Sequence, residues 1–245
     1  MIFRRSSLPS KLRSRTRKLM PAKPSLNSPS SADEHPTLSV VVVIFTVFEG
    51  DLRALLIKRS ADPHRGLWAI PGGLLKPGES LDDAAKRKLV DETGVRDVFL
   101  EQLYTFDDLD DVTAGGSLAM THFALVDQQR VRLSDRTDWQ PAWFSMRELP
   151  ELAFHNEQVL AYALERLRNK LQYANVAYSL LPERFTLTQL QRVYETILGR
   201  ALDKRNFRKR MLSLEIIEAT DERQAEGAGR PALLYRFTSN ELVQL

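Results

Sequence analysis

Two clusters in the sequence combine residue types and spacings from which chemistry can be built. The first runs from Gly73 through Glu79 to Arg87, Lys88, Asp91, Glu92 and Gly94. On a helix, positions 88, 91 and 92 share one face, because offsets of three and four return to the same side. Carboxylates gathered on such a face would hold Mg2+ through oxygen ligands. A metal there would neutralise a diphosphate and activate water for attack on it. Here one of the three positions is Lys88. Its ammonium can pair with Asp91 at i+3 or Glu92 at i+4, taking up charge that a divalent ion would otherwise balance. Asp91 is also one methylene shorter than glutamate. Asp91 and Glu92 are thus candidates for one weakly held metal, and two bridged metals are not expected. Glu79 and Arg87 can pair and fix the loop against the helix.

The second cluster is Lys204, Arg205, Asn206, Arg208, Lys209 and Arg210, five cations in seven residues around one amide. With Phe207 and Met211 turned inward, Lys204, Arg205, Arg208 and Lys209 crowd the exposed side of a helix. Such a surface suits a major groove, with cations to phosphates and guanine edges and Asn206 to an adenine edge. Arg230, beside Gly229 in a later loop, would approach phosphate or the minor groove. By itself, a charge run reads as a solvated face; its setting decides otherwise.

These residues need elements to position them. Leu38–Phe48 is β-branched and aromatic and reads as a strand, returning after Glu49-Gly50-Asp51 through Leu52–Arg59. Pro71-Gly72-Gly73 bends the chain. Leu81–Thr93 reads as a helix with Leu81, Ala85 and Leu89 as its buried stripe and Gly94 as its stop. Further strands fall at Val98–Phe106, Leu118–Val126 and near Pro141–Phe144. A long helix follows from about His155 to Leu171. Beyond residue 172 the pattern changes. Thr186/Thr188 begin a helix, with Thr188 and Gln191 in the spacing of a capping box. Leu190, Val193 and Ile197 make that helix's stripe, and Gly199 ends it. Asp203 caps a second helix, Lys204–Leu214. Ile216–Thr220 and Leu233–Phe237 read as two strands around a Gly-rich loop. Two helices joined by a short Gly-containing turn, then a hairpin, is the pattern of a winged helix-turn-helix.

The chain has 245 residues and a net charge of +3, with 43% hydrophobic and 27% charged residues. The charge is uneven: residues 1–38 hold eight Lys/Arg against Asp33 and Glu34, so the remainder is net acidic. The Ser-, Pro- and Arg-rich segment 1–36 reads as a disordered basic tail. An organelle transit peptide, or an overextended start with Met20 as the true first residue, stays open beside it. Three spans follow: tail 1–36, a mixed α/β domain over 37–172, and a smaller domain over 173–245. The absence of cysteine excludes disulfides, thiolate metal sites and a cysteine nucleophile, and fits a cytoplasmic location. The apolar run Leu38 to Phe48 is 11 residues, against about 20 for a membrane helix, so no membrane partner is expected.

The first cluster resembles the Nudix signature, a glycine, a glutamate and an arginine-led acidic helix at fixed spacing. Gly73, Glu79, Arg87, Leu89, Glu92, Gly94 and Val95 fit it, whereas Lys88 and Asp91 each replace a glutamate. The two halves together resemble the Nudix-related transcriptional regulators of NAD metabolism, often called NrtR. The resemblance rests on Pro63-His64-Arg65-Gly66-Leu67-Trp68 before the glycine turn, the box beginning Arg87-Lys88, Phe185-Thr186-Leu187-Thr188-Gln189-Leu190-Gln191, Asp203-Lys204-Arg205-Asn206-Phe207-Arg208 and Gly229-Arg230-Pro231-Ala232. It spans nearly everything from Thr37 onward. It implies a Nudix-type mixed sheet sandwiched by helices, followed by a small winged helix. It also implies a homodimer that represses genes of NAD synthesis or salvage on a double-stranded DNA operator, with ADP-ribose or a related NAD-derived molecule as effector. In the family the missing glutamate is a major metal ligand, so hydrolysis should be lost or strongly reduced. No cofactor is expected for regulation, and Mg2+ or Mn2+ only if hydrolysis survives. Lys58, Arg59 and Arg65 are the expected phosphate partners and Trp68 or Phe106 the expected base stack, each aromatic equally readable as core. His64 reads as a surface residue, and the acidic loop Asp107, Asp108, Asp110 and Asp111 as a solvated turn. The competing readings are a metal-dependent Nudix pyrophosphatase acting on ADP-ribose and a scaffold whose basic ends bind acidic partners.

Overall fold

The apolar run Thr37–Phe48 forms the central strand, β1. Its side chains alternate between two buried faces, which is why the sequence shows a near-continuous hydrophobic run. Val40, Val42 and Ile44 face one layer, and Val43 and Phe45 face the other. The computed structural model describes residues 37–94, 96, 98–107, 117–133, 140–225, 231–239 and 241–243. The expected basic tail, Val95, Asp108, Asp110, Asp111, Gly229 and Arg230 lie outside them.

Around β1 the chain adds β2 (Asp51–Lys58), β3 (Trp68–Ala69), β4 (Gly72–Leu74), helix α1 (Leu81–Thr93), β5 (Leu100–Asp107), β6 (Ser117–Leu125), β7 (Gln140–Ser145) and helix α2 (Asn156–Lys170). Strand β1 pairs in parallel with β6 and antiparallel with β2 and β4. β5 lies antiparallel to β6, and β7 to β2, which completes a seven-stranded mixed sheet. Helix α1 packs Ala84, Ala85 and Leu89 on the even face of β1. Helix α2 packs Val159, Leu160, Ala163 and Leu167 on the odd face. The sheet is therefore sandwiched by helices, as the resemblance implies.

A 3-10 segment, Val176–Leu180, leads into the second architecture: β8 (Phe185–Thr186), α3 (Leu187–Leu198), α4 (Lys204–Ser213), β9 (Ile217–Gln224) and β10 (Ala232–Phe237). The strands form a sheet in the order β8-β10-β9, and the whole is a winged helix. Sequence spacing puts the start of α3 at Thr186/Thr188 and its capping box at Thr188 with Gln191. The structure places the capping box at Thr186 and Gln189 instead. Both pairs have the same spacing. Backbone pairing of Thr186 with Leu234 and burial of Leu187 select the earlier one.

The change of architecture near residue 172 is not a break in packing. One hydrophobic cluster runs from Val43 and Phe45 through Leu160 and Leu167 to Leu190, Ile197, Phe207, Met211 and Tyr235. The connection is also tied by polar groups. The Arg168 Nε donates to the Ile197 carbonyl at 2.8 Å, and Arg210 Nη2 donates to the Gln172 carbonyl at 2.9 Å. Asn175, 1% exposed, accepts from the Val243 amide at 2.8 Å and donates through Nδ2 to the Glu241 carbonyl at 3.0 Å. The chain end thus straps the linker. Among the described residues no helix is long and apolar enough to cross a membrane.

A shared core predicts shared melting. Leu167, fully buried where the two architectures meet, should cost about 2–5 kcal/mol when cut to alanine. In Leu167→Ala, unfolding followed by Trp68/Trp143 fluorescence and by amide exchange in α4 should shift to the same lower urea midpoint. A shift in one signal alone would show two separate cores.

Candidate functional site

Helix α1 is fixed at both ends. Ser80 caps it by accepting from the Asp83 amide at 3.1 Å. Gly94 closes it in the left-handed conformation (φ 68°), where a side chain would be strained. Just before the cap, Glu79 receives a two-pronged contact from Arg87, Nε to Oε1 at 2.6 Å and Nη2 to Oε2 at 2.8 Å. Those donated hydrogen bonds, helped by the Lys76 amide, hold the Glu79 carboxyl down to about 2. The pair does what its spacing implied: it pins the glycine-bearing loop to the helix.

The three positions on the shared helical face diverge in their surroundings. Asp91 is exposed and lies 3.9 Å from the Arg87 guanidinium. Arg87, one position before Lys88, therefore supplies a cation to Asp91. Glu92 is 1% exposed. Lys88 is half-buried and extends to Gly73: a Cβ on that glycine would stand 2.9 Å from the Lys88 Cε and 3.0 Å from its Nζ. A side chain at Gly73 would have to push the flexible end of that lysine aside. Among the described residues, no three acidic or histidine side chains converge as a metal-binding group. Asp91 and Glu92 alone, one turned to an arginine and the other buried, do not fit a divalent cation.

Beside this box lies a cleft of about 460 Å³. Its walls come from β1 (Ser39, Val41), β4 (Gly72, Gly73), β2 with its following loop (Ile57, Arg59), and the start of α2 (Phe154, Asn156). Of the four expected effector contacts, Arg59 lines the cleft. Its Nε donates to the Pro63 carbonyl at 2.9 Å, and its guanidinium lies 4.4 Å from the Phe154 ring centre. Lys58, Arg65 and Trp68 are not among the lining residues. Lys58 ends β2 exposed, Arg65 is exposed near Asp62 at 3.8 Å, and Trp68 packs edge-on against Phe144. Phe106 packs with Tyr104 and Tyr162 on the outer strand. His64 meets Phe154 edge-on at 4.9 Å. Asn156 escaped the sequence reading. It is 3% exposed and accepts from the Ile70 amide at 2.8 Å, joining the first residue of α2 to the cleft wall.

In the winged helix, the turn between α3 and α4 is held by a small polar clamp. Glu195 Oε1 accepts from the Leu202 amide at 2.8 Å and from Gln191 Nε2 at 2.9 Å, and Gln191 also donates to the Leu202 carbonyl. These contacts lower the Glu195 pKa, the Leu202 amide first among them. Asp203 then caps α4 through the Asn206 amide at 2.8 Å. Phe207 and Met211 are buried, whereas Lys204, Arg205, Asn206, Arg208 and Lys209 are all exposed. A groove of about 420 Å³ runs between the start of α3, α4 and the wing strands, with Lys204, Arg208 and Arg223 along it. Arg223 was not singled out from sequence, because β9 is polar along its length and gives no alternation.

Residues 37–164 match the family model for the NUDIX domain, and residues 177–237 match that for the NrtR DNA-binding winged helix domain. The chain is 38% identical over 208 residues to the ADPR responsive transcriptional repressor NtrR of Acinetobacter baylyi, covering 82% of each. The chain belongs to the NrtR family. The crystal structure of Shewanella oneidensis NrtR complexed with a 27mer DNA superposes on this NrtR-family chain with a TM-score of 0.75 at 33% identity, over 82% of this chain and 93% of that one. A third likeness covers the Nudix part alone: the ADP-ribose pyrophosphatase of Methanocaldococcus jannaschii is 29% identical over 126 residues, 51% of this chain and 72% of that protein.

The Glu79–Arg87 pair gives this NrtR-family protein a pH signature. A carboxyl depressed on folding contributes stability that is complete above its ordinary pKa and is lost as pH falls toward the folded value. Wild type should lose stability more steeply than Glu79→Gln between pH 4.5 and about 2. Urea unfolding across that window checks this, and parallel curves would show that the pair adds nothing to stability.

Proposed function

We infer that the protein is an ADP-ribose-responsive transcriptional repressor: its winged helix binds double-stranded DNA, and its Nudix cleft binds ADP-ribose. The observation that carries this reading is a Nudix box without a fitting metal site among the described residues, built on the same core as a helix that exposes five cations and an asparagine. The Acinetobacter repressor and the DNA-bound Shewanella protein, each matched over most of its length, support it. Phosphate contacts by Lys204, Arg205, Arg208, Lys209 and Arg223 would supply affinity, and base edges read by Arg205 or Asn206 would supply sequence. A homodimer presenting two such helices suits a two-part operator. Family resemblance supports genes of NAD synthesis or salvage as its targets.

Helix α2 offers the route between the two ligands. It begins at the cleft with Asn156 and ends where Arg168 holds the last turn of α3. Ligand-linked movement of α2 would carry the recognition helices with it and change their spacing in the dimer. Such a response requires that ADP-ribose bind the two states with different affinity.

Duplex binding to the promoter beside the gene, titrated in salt with and without ADP-ribose, tests this reading. Wild type should bind with a steep salt dependence, and ADP-ribose should move the midpoint by about tenfold or more. Arg208→Ala should weaken all duplexes alike and reduce the salt slope by about 1. Absence of duplex binding even at low salt would remove the repressor reading.

The likeness to the Methanocaldococcus pyrophosphatase favours a second reading, hydrolysis of ADP-ribose. The poor fit of Asp91 and Glu92 to a metal argues against it. Incubation with ADP-ribose and Mg2+ or Mn2+ over hours is expected to release no AMP, and rapid release would reverse the assignment.

A further inference from the structure

A second cavity of the winged helix lies on the flank of α4 away from Lys204 and Arg208. It measures about 400 Å³ and sits where the end of α2 (Leu171, Gln172), the last turns of α3 (Tyr194, Leu198) and the turn after them (Arg200, Leu202) meet α4. Its floor is apolar: Leu171, Phe207 and Met211 are buried, and the Phe207 ring stands edge-on to Tyr194 at 5.2 Å. Its polar groups are few and mostly donors. We propose that this cavity binds a small aromatic carboxylate, its ring on the apolar floor and its head group held by Arg200, Arg210 and the Tyr194 hydroxyl. The proposal is independent of what the Nudix cleft binds.

Three observations converge on it. Tyr194 is only 4% exposed, yet among the described residues its hydroxyl has no hydrogen-bond partner. The hydroxyl is not fully enclosed, and the cavity is the space it lines. A donor left unmade in such surroundings is costly, so an acceptor placed there gains a full hydrogen bond. Burial pushes the phenol up to about 12, so it stays a donor at neutral pH, and the Arg210 charge acts on the same hydroxyl. Second, neither Arg200 nor Arg210 pairs with a carboxylate among the described residues. Arg210 gives Nη2 to the Gln172 carbonyl at 2.9 Å, which leaves the rest of its donor fork for an acid. The carboxylate on the wall, Asp203, is engaged in capping α4 through the Asn206 amide. Third, two arginines against that one aspartate leave the wall with a single positive charge, which a carboxylate balances. An apolar floor with a few convergent polar groups is the usual make-up of a small-molecule site, and the volume falls in that range. The cavity also touches the tie between Arg210 and Gln172, so its occupant bears on how α4 is held.

The test is NMR titration of the full chain, methyl-labelled at methionine, with naphthoate as the probe. Met211 lines the cavity, and its signal is assigned through Met211→Leu. That signal should shift saturably at millimolar naphthoate or below. Naphthalene methanol, of similar shape without the charge, should bind about tenfold or more weakly, as should naphthoate to Arg200→Gln and to Arg210→Gln. Tyr194→Phe keeps the ring and removes the donor; it should bind about fivefold or more weakly. Unshifted Met120 and Met146 signals in the ligand-free variants establish that each is folded. No Met211 shift at millimolar naphthoate, equal binding of the neutral alcohol, or wild-type affinity in Tyr194→Phe or in both arginine variants would overturn the proposal. Inorganic phosphate that binds as tightly as naphthoate would overturn it too, and would mark the two arginines as a plain phosphate contact such as a DNA backbone supplies.

Discussion

Burial of α2 against two architectures at once is the constraint on which the rest of the structure depends. Val159, Leu160, Ala163, Leu167 and Leu171 belong to one hydrophobic cluster that joins the mixed sheet to the winged helix. Interiors packed in this way transmit displacement rather than absorbing it. A ligand that alters the cleft near Asn156 therefore acts on a solid element. Arg168 fastens its far end to the last turn of α3, and Arg210 of α4 reaches back to the Gln172 carbonyl just beyond it. The cleft and the exposed cations are distant along the chain but lie on one continuous body of side chains.

Charge is the second organising theme, and it is handled by local substitution. A single arginine binds Glu79 with both prongs and lies within reach of Asp91, so Arg87 faces two of the three carboxylates of the box. The end of Lys88 lies beside Gly73. At the other end of the molecule the acids are spent on architecture: Glu195 holds the helix-turn-helix turn and Asp203 caps α4. The cations that follow Asp203 are left facing outward because only Phe207 and Met211 of that helix can reach the core.

Much of this was legible in the residues. Helix α1 has the bounds that Leu81, Ala85, Leu89 and Gly94 imply, because its stripe, cap and stop agree. The basic side of α4 follows from the positions of Phe207 and Met211 alone. What could not be read has identifiable physical causes. Thr186–Gln189 and Thr188–Gln191 are equivalent capping patterns, and only the distant strand β10 distinguishes them. Trp68 lies in the motif beside the cleft, yet strand geometry turns it toward Phe144. Lys58 and Arg65 are close to the cleft in sequence but not on its wall. Asn156 is a lone amide whose value depends on Ile70, 86 residues away. Arg223 sits in a strand without a hydrophobic period to orient it. Local pattern fixes helices and caps, whereas the direction of a side chain in a loop or short strand is set by contacts made far along the chain.

The unbroken core has a bearing on how such a molecule can be recombined. A crossover at residue 172, where the architecture changes, would divide one packed interior between two parents and leave Leu167 and Leu171 facing foreign neighbours. A functional chimaera would have to inherit α2 together with the DNA-reading half, and with it Asn156 from the rim of the small-molecule cleft. Operator choice and metabolite choice are, on that account, traits that travel as a set rather than as interchangeable cassettes.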